Sequence, residues 1–319
     1  RVYDGREYNI LVTGSTSKLI GASLPHELGG RIISIIVFPL RFSEFVRFKN
    51  IYIDFTLAEH SEDERARLIS LLEEYLRYGG LPEVVLASED RKLLILQDYF
   101  RTIIYRDIVE RHSIKDIENI MDILKILLNS TMISYTRVYN ILRSKGVRIG
   151  KEKVINYINY ALESLFVHLV PIFSRKMSSQ IIYPKKVYFA DNGFIRAISI
   201  RYGKEKWRWL ENIVFLELLR RIRNRPLAEI YYWKNDEYEV DFIVQELDEI
   251  KFAVQVAWDL EEYSTRKREI KGLVRFMRKF GAKEGIIVTY ESEEEIVKGE
   301  IKIKVVPVLK LLLEDILTL

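Results

Sequence analysis

Apolar positions along the chain recur at two periods, and the switches between them divide it into segments. Over 62–79, Leu68, Leu71, Leu72, Tyr75 and Leu76 fall at helical spacing between charged residues, and Gly79-Gly80 stops the run. The same period predicts helix over 90–111, with Leu94, Tyr99, Ile103 and Ile104 on the apolar side and Arg106, Asp107, Glu110 and Arg111 on the charged one. Further helices are expected over 18–24, from Ser43, and over 117–128, 134–142, 151–165, 207–221 and 266–280, the 134–142 helix opening on Ser134 as a hydroxyl cap. Short β-branched or alternating runs predict strands at 10–12, 32–37, 166–173, 186–189, 229–233, 240–245, 252–257 and 285–289. The first two read as buried parallel strands whose sheet neighbours this chain does not supply.

Composition narrows the classes. A chain of 319 residues with 48% hydrophobic residues supports two or three packed domains. There is no cysteine, which removes disulfides, thiolate zinc sites and cysteine nucleophiles, and His26, His60, His112 and His168 lack metal-ligand spacing. No run of eighteen uncharged apolar residues and no amino-terminal signal pattern is present, so a cytoplasmic protein without membrane insertion is expected. The formal charge of +4 matters less than its distribution. From Arg137 to Lys153 six basic residues, Arg137, Arg143, Lys145, Arg148, Lys151 and Lys153, face the single acid Glu152. The helices of 134–142 and 151–165, joined through Lys145-Gly146-Val147, resemble a helix-turn-helix pair, and the strands after them fit a two-stranded wing. Arg148, Lys151, Lys153, Asn156 and Asn159 are then the residues placed to meet phosphates and base edges of double-stranded DNA, unless the module is a protein-docking spacer.

Several motifs carry a wider resemblance. They are Leu11-Val12-Thr13-Gly14-Ser15-Thr16-Ser17-Lys18-Leu19, Gly29-Gly30-Arg31, Phe38-Pro39-Leu40-Arg41-Phe42-Ser43-Glu44-Phe45, Tyr78-Gly79-Gly80-Leu81-Pro82-Glu83-Val84, Tyr105-Arg106-Asp107-Ile108-Val109-Glu110-Arg111, Leu210-Glu211-Asn212 and Glu239-Val240-Asp241-Phe242. In this order they resemble an archaeal and bacterial family of AAA-type ATPases with a winged-helix module and a C-terminal domain of long-uncharacterised role. The resemblance implies an α/β multidomain chain: a partial AAA-type nucleotide-binding core over 1–56, a helical lid over 57–114, a winged helix over 115–190 and an endonuclease-like α/β domain over 191–319. Ser15, Thr16 and Ser17 then match a strand end that senses the terminal phosphate, and Arg31 a finger toward a neighbouring subunit, against a plain turn and a surface ion pair as the alternatives. ATP and magnesium are the implied cofactors of the complete protein. None of the fifteen glycines is followed by Lys and then Ser or Thr, so hydrolysis is expected to need a phosphate loop and an acidic strand that family members carry upstream of the residue numbered 1 here.

In the last unit the expected order of helix, three strands, helix and strand resembles a restriction-endonuclease-like core. Glu211 and Asp241 match two of its metal-holding acids. The third acid and the lysine two residues on are replaced by Gln255 and Ala257, which supply neither a hard-cation ligand nor a base. Glu211, Asp241 and Gln255 are expected to share a shallow, non-cleaving cleft, with Lys251 and Asp259 the nearest substitutes in sequence. The leading expectation is a DNA-binding portion of an AAA-type ATPase, with a protein partner or homo-oligomer also compatible; the alternatives are a non-catalytic interaction scaffold and a metal-dependent DNA nuclease. A basic helix over 266–280 is a further surface able to lie along phosphates, or else a solvated face of a thermophilic protein.

Overall fold

The computed structural model describes residues 11–15, 35–52, 61–199, 206–282, 284–314 and 316–317. The expected helix at 18–24, along with Thr16, Ser17 and Arg31, lies outside the described residues. Of the two orphan strands, residues 11–14 and 35–38 take no regular structure, and Leu11, Val12, Ile35 and Val37 are 73–89% exposed. Apolar residues of this kind form a strand only when a neighbouring ladder satisfies the backbone and covers the side chains.

Helix α1 (Phe42–Phe48) buries Phe42, Phe45 and Val46. Helix α2 (Glu62–Tyr78) starts at the Ser61 cap, buries the expected Leu68, Leu71, Leu72, Tyr75 and Leu76, and ends at Gly79, whose φ is 75°. The short α3 (Pro82–Leu86) opens on a proline, where the missing N–H costs nothing. The single helix expected over 90–111 is instead α4 (Glu89–Thr102) followed by a π-helical turn, Ile103–Glu110, which brings Ile104, Asp107, Ile108 and Val109 inward together.

Next come α5 (Ile117–Leu128), β1 (Met132–Ile133), α6 (Tyr135–Ser144), α7 (Lys151–Glu163), β2 (Val167–Val170), a short α8 (Met177–Ile182) and β3 (Lys185–Phe189), with the sheet ordered β1-β3-β2 and wholly antiparallel. Because β3 is central, its period-two alternation has consequences on both faces. Val187 and Phe189 enter the core beneath α5 to α7, whereas Tyr188 enters the core of the last unit.

Helix α9 (Asn192–Ile198) leads to α10 (Lys206–Ile222), which is buried on nearly every side. A six-stranded sheet follows: β4 (Ala228–Lys234), β5 (Glu239–Glu246), β6 (Glu249–Val256), β7 (Glu284–Thr289), β8 (Glu294–Lys298) and β9 (Ile301–Pro307), in the order β4-β5-β6-β7-β9-β8. Strands β4 to β6 are antiparallel, and the crossover through α11 (Tyr263–Phe280) makes β6 and β7 parallel. The β8–β9 hairpin and α12 (Val308–Leu313) extend the expected order. Ile243, Ala253 and Ile287 face α11, while Phe242, Val244, Val254 and Val288 face α10 and α12.

The cores do not follow the expected segment boundaries. Helices α1 and α2 share a core with α10, α12 and the large sheet, while α3, α4 and the π-helical turn share one with α5 to α7 and α9.

Candidate functional site: a lysine between three carboxylates

Side chains of β3, α10 and β5 meet at one buried junction. Helix α10, packed on nearly every side, points Glu211 and Asn212 toward β3, and β5 presents Glu239 and Asp241 beside them. Alternation in β3 turns Lys186 and Tyr188 to the same side. The Lys186 Nζ lies 2.6 Å from Asp241 Oδ1, 3.0 Å from Glu211 Oε1 and 2.7 Å from Glu239 Oε1. Tyr188 donates its hydroxyl to Glu211 Oε1 at 2.7 Å. Pairing with Met132 on one side and Val170 on the other fixes the Lys186 backbone.

Gln255 stands beside this cluster. Its Oε1 accepts the Asp241 N–H at 3.2 Å, its Nε2 donates to Glu269 Oε2 at 2.6 Å, and the second Asp241 oxygen accepts the Val256 N–H at 2.8 Å. Sequence reasoning brought together Glu211, Asp241 and Gln255, and the structure adds Lys186, Tyr188 and Glu239. The expected shallow cleft is corrected to a closed junction: Glu211, Asp241 and Gln255 are 8, 7 and 5% exposed, and the adjoining cavity of about 10 Å³ has room for a single water. The cause is β3, which lies across the acids. Neither sequence neighbour substitutes for the missing lysine, since Lys251 pairs with Glu246 and Glu249 and Asp259 accepts the Glu261 N–H. A signal for Lys186 did exist in Lys185-Lys186-Val187-Tyr188-Phe189, where alternation puts a lysine and a tyrosine on one strand face.

The electrostatics follow from enclosure. Burial opposes the Lys186 charge, yet Asp241 and Glu211 hold its ammonium well above the usual lysine range. Burial pushes the Asp241 carboxyl up to about 7 against the pull of Lys186, with Glu211 and Glu239 adding to the rise. Burial also lifts Glu239, but Lys186 and Lys234 overcome it and hold that carboxyl low. The residues do not fit a magnesium ion: Gln255 is engaged on both ends, an ammonium already sits between the acids, and among the described residues no group of three or more His, Asp or Glu is arranged to hold a metal.

A second polar knot adjoins the first. Asp191 accepts the Gly80 and Gly193 N–H groups, each at 2.7 Å, and Asn192 donates to the carbonyls of Leu76 and Trp209, each at 3.0 Å. Asn212 donates to Asn192 Oδ1 at 2.9 Å and closes a reciprocal pair with the Phe189 backbone at 2.8 and 3.1 Å. Gly79 and Gly80 are thereby explained: a Cβ on Gly79 would stand 1.6 Å from Asp191 Oδ1, and one on Gly80 2.2 Å from the Leu40 carbonyl oxygen.

The remaining expected site residues that are described lie apart from this junction. Arg148, Lys151, Lys153 and Asn156 are exposed and Asn159 partly so, along α7 and the turn before it. Of the six basic residues from Arg137 to Lys153, Lys153 alone has an acid partner among the described residues, Asp116. Ser15 donates its hydroxyl to the buried Asp107 of the π-helical turn and accepts from Arg111 Nη2 at 3.3 Å. Among the described residues no helix is long and apolar enough to cross a membrane.

An uncharacterized protein of Methanocaldococcus jannaschii is 36% identical over 293 residues, covering 90% of this chain and 64% of that protein. Another, from Haemophilus influenzae, is 30% identical over 257 residues, covering 80% of this chain and 60% of that protein. The chain thus spans about three fifths of the length of these curated relatives. A refined half-complex of Thermococcus gammatolerans McrB AAA+ hexamers with bound McrC aligns with 60% of this chain and 47% of that one, at 13% identity and a TM-score of 0.25. Residues 69–204 match a domain of unknown function (DUF8612) and residues 208–311 match another (DUF4143), so the Lys186 cluster, with its lysine in the first and its carboxylates in the second, is the seam between the two.

Proposed function

We propose that the chain is the DNA-engaging, non-cleaving portion of an AAA-type ATPase. The observation that carries this reading is the basic face around α6 and α7: Arg137, Arg143, Lys145, Arg148, Lys151 and Lys153 are all exposed, and five of them have no acid partner among the described residues. The order helix, strand, helix, helix, strand, short helix, strand, with the sheet order β1-β3-β2, supports a winged helix in which α7 enters the major groove and α8 lies between the wing strands. Lys151 and Lys153 then meet phosphates, and Asn156 and Asn159 reach base edges. The Ser15–Asp107–Arg111 contact supports a relay: a group sensing the terminal phosphate of ATP would be tied, through the π-helical turn, to the helices that carry the DNA face. ATP and magnesium would be held by a core that supplies neighbours to the segments at 11–15 and 35–38.

The endonuclease-like unit serves in this reading as a structural base. Lys186 occupies the position between Glu211 and Asp241 where an active relative would hold a cation, and no step of phosphodiester cleavage is assigned to it. A protein scaffold is the second reading, favoured by exposed Met177, Ile181, Ile182 and Tyr183 on and beside α8.

Fluorescence anisotropy with duplex DNA over a salt series tests the first reading. Lys151→Glu with Lys153→Glu is expected to weaken binding to unrelated sequences alike and to flatten the salt dependence by roughly 0.9 per lost phosphate contact, whereas Asn156→Ala changes sequence preference. Unchanged affinity in the double reversal would favour the scaffold.

A further inference from the structure

We infer that the outward face of α11 is a second polyanion surface, shaped for the sugar-phosphate backbone of duplex nucleic acid and indifferent to its sequence. It rests on the proposed function only for the class of partner.

The face is chemically uniform. Between positions 267 and 279 every exposed residue is cationic: Lys267, Arg268, Lys271, Arg275, Arg278 and Lys279. Arg268 is spent on Glu269 at 2.6 Å, and Arg266, just before the row, on Glu294 at 2.5 Å. The other five have no acid partner among the described residues. The acidic run that follows does not oppose them, because Glu294 holds Arg266, Glu293 holds Lys310 and Glu295 pairs with Lys302.

The row is also rigid. Leu273, Phe276 and Met277 anchor α11 on the sheet, and a Cβ on Gly272 would stand 3.0 Å from the Glu239 carbonyl oxygen, so the helix lies nearly against the β5 backbone. At a helical rise of about 1.5 Å per residue, Lys267 to Arg278 spans roughly 16 Å, with Lys271 and Arg275 one turn apart between them. Fixed charges at such spacing match a phosphate row.

Chemistry separates the classes of partner. Protein interfaces are anchored by aromatic and aliphatic residues and depleted of lysine at their centres, whereas no exposed apolar residue interrupts this row. A helix bound to an anionic bilayer needs its apolar face outward, and that of α11 is buried against the sheet. The Lys and Arg of the row are assigned to phosphate oxygens, contacts that position the duplex without specifying its sequence.

The test is anisotropy of a labelled mixed-sequence duplex over a potassium chloride series, comparing the wild-type chain, Lys271→Gln/Arg275→Gln/Arg278→Gln, and the α7 double reversal. Removing three exposed, unpaired charges leaves the melting temperature unchanged and lowers the log–log salt slope by roughly 2.7, at about 0.9 per phosphate contact. A wild-type slope in the α11 variant overturns the inference, and if the α7 reversal abolishes binding in the same experiment the proposed function survives without it. A reduced slope in the α11 variant beside an unchanged α7 reversal supports the inference and overturns the α7 face. Competition by polyglutamate, at equal charge, as strong as that by unlabelled duplex would reassign α11 to an acidic protein.

Discussion

Gly79 shows how a single residue fixes the junction. Its φ of 75° closes α2, and the Asp191 carboxylate fills the space where a Cβ would be. Gly79→Ala is therefore expected to destabilise the chain by more than ~4 kcal/mol, the range reserved for a named steric fault. Asp191→Ala in the same background should recover part of the loss and leave the left-handed strain, a non-additivity that urea denaturation of the four variants measures. Asp191 also carries a pH dependence. Burial pushes its carboxyl up to about 6 from the 3.8 of an ordinary aspartate, so its contribution to stability is present below the lower value and is lost as pH rises through the higher one. Unfolding free energy should fall by roughly 2–3 kcal/mol across that window, and Asp191→Asn should flatten the slope while lowering stability at acid pH. A slope unchanged by Asp191→Asn would remove this assignment.

At the scale of the element, β3 decides the character of the site. A strand buried on one face would leave Lys186 in solvent; as the middle strand of its sheet, laid on α10 and β5, β3 places that ammonium among three carboxylates. Lys186→Met strands those acids, and breaking a buried pair in this way costs about 3–5 kcal/mol. Adding Glu211→Gln and Asp241→Asn should restore most of the loss, because neutral groups of similar shape need no counter-charge; a triple variant as unstable as Lys186→Met would show that packing, not charge, is at stake. The expected helix over 90–111 illustrates the limit of periodicity. Its apolar spacing is legible, but at Ile103 the chain changes to a π-helical turn that buries Asp107, where it meets the distant Ser15.

For the whole molecule, the shared cores predict cooperative behaviour. Phe42, Phe45, Leu72 and Tyr75 lie in one cluster with Leu210, Val214, Phe242 and Leu311, so α1 and α2 cannot leave without exposing the large sheet. A chain divided between 204 and 208 should give fragments that aggregate or bind a hydrophobic dye, whereas the intact chain melts in one transition by both near- and far-ultraviolet circular dichroism. Two separated transitions would count against a joint core. Supercoiled, linear and branched DNA incubated with magnesium or manganese should stay intact, since Lys186 holds the carboxylates and Gln255 is engaged; cleavage abolished by Asp241→Ala would overturn the closed-site reading.

What the sequence by itself determined was local. Leu68 to Leu76, Ile120 to Leu128 and the β-branched runs of β4 to β7 declare helix or strand because period and side-chain branching act within a few residues of chain, and the association of Glu211 with Asp241 was legible from the resemblance to an endonuclease-like core. The tertiary structure decided where segments end as packing units and what fills the acidic site. The physical reason is that Lys186 in isolation is one more basic residue of a strand, and its charge acquires meaning only when burial against α10 and β5 leaves three carboxylates as its partners.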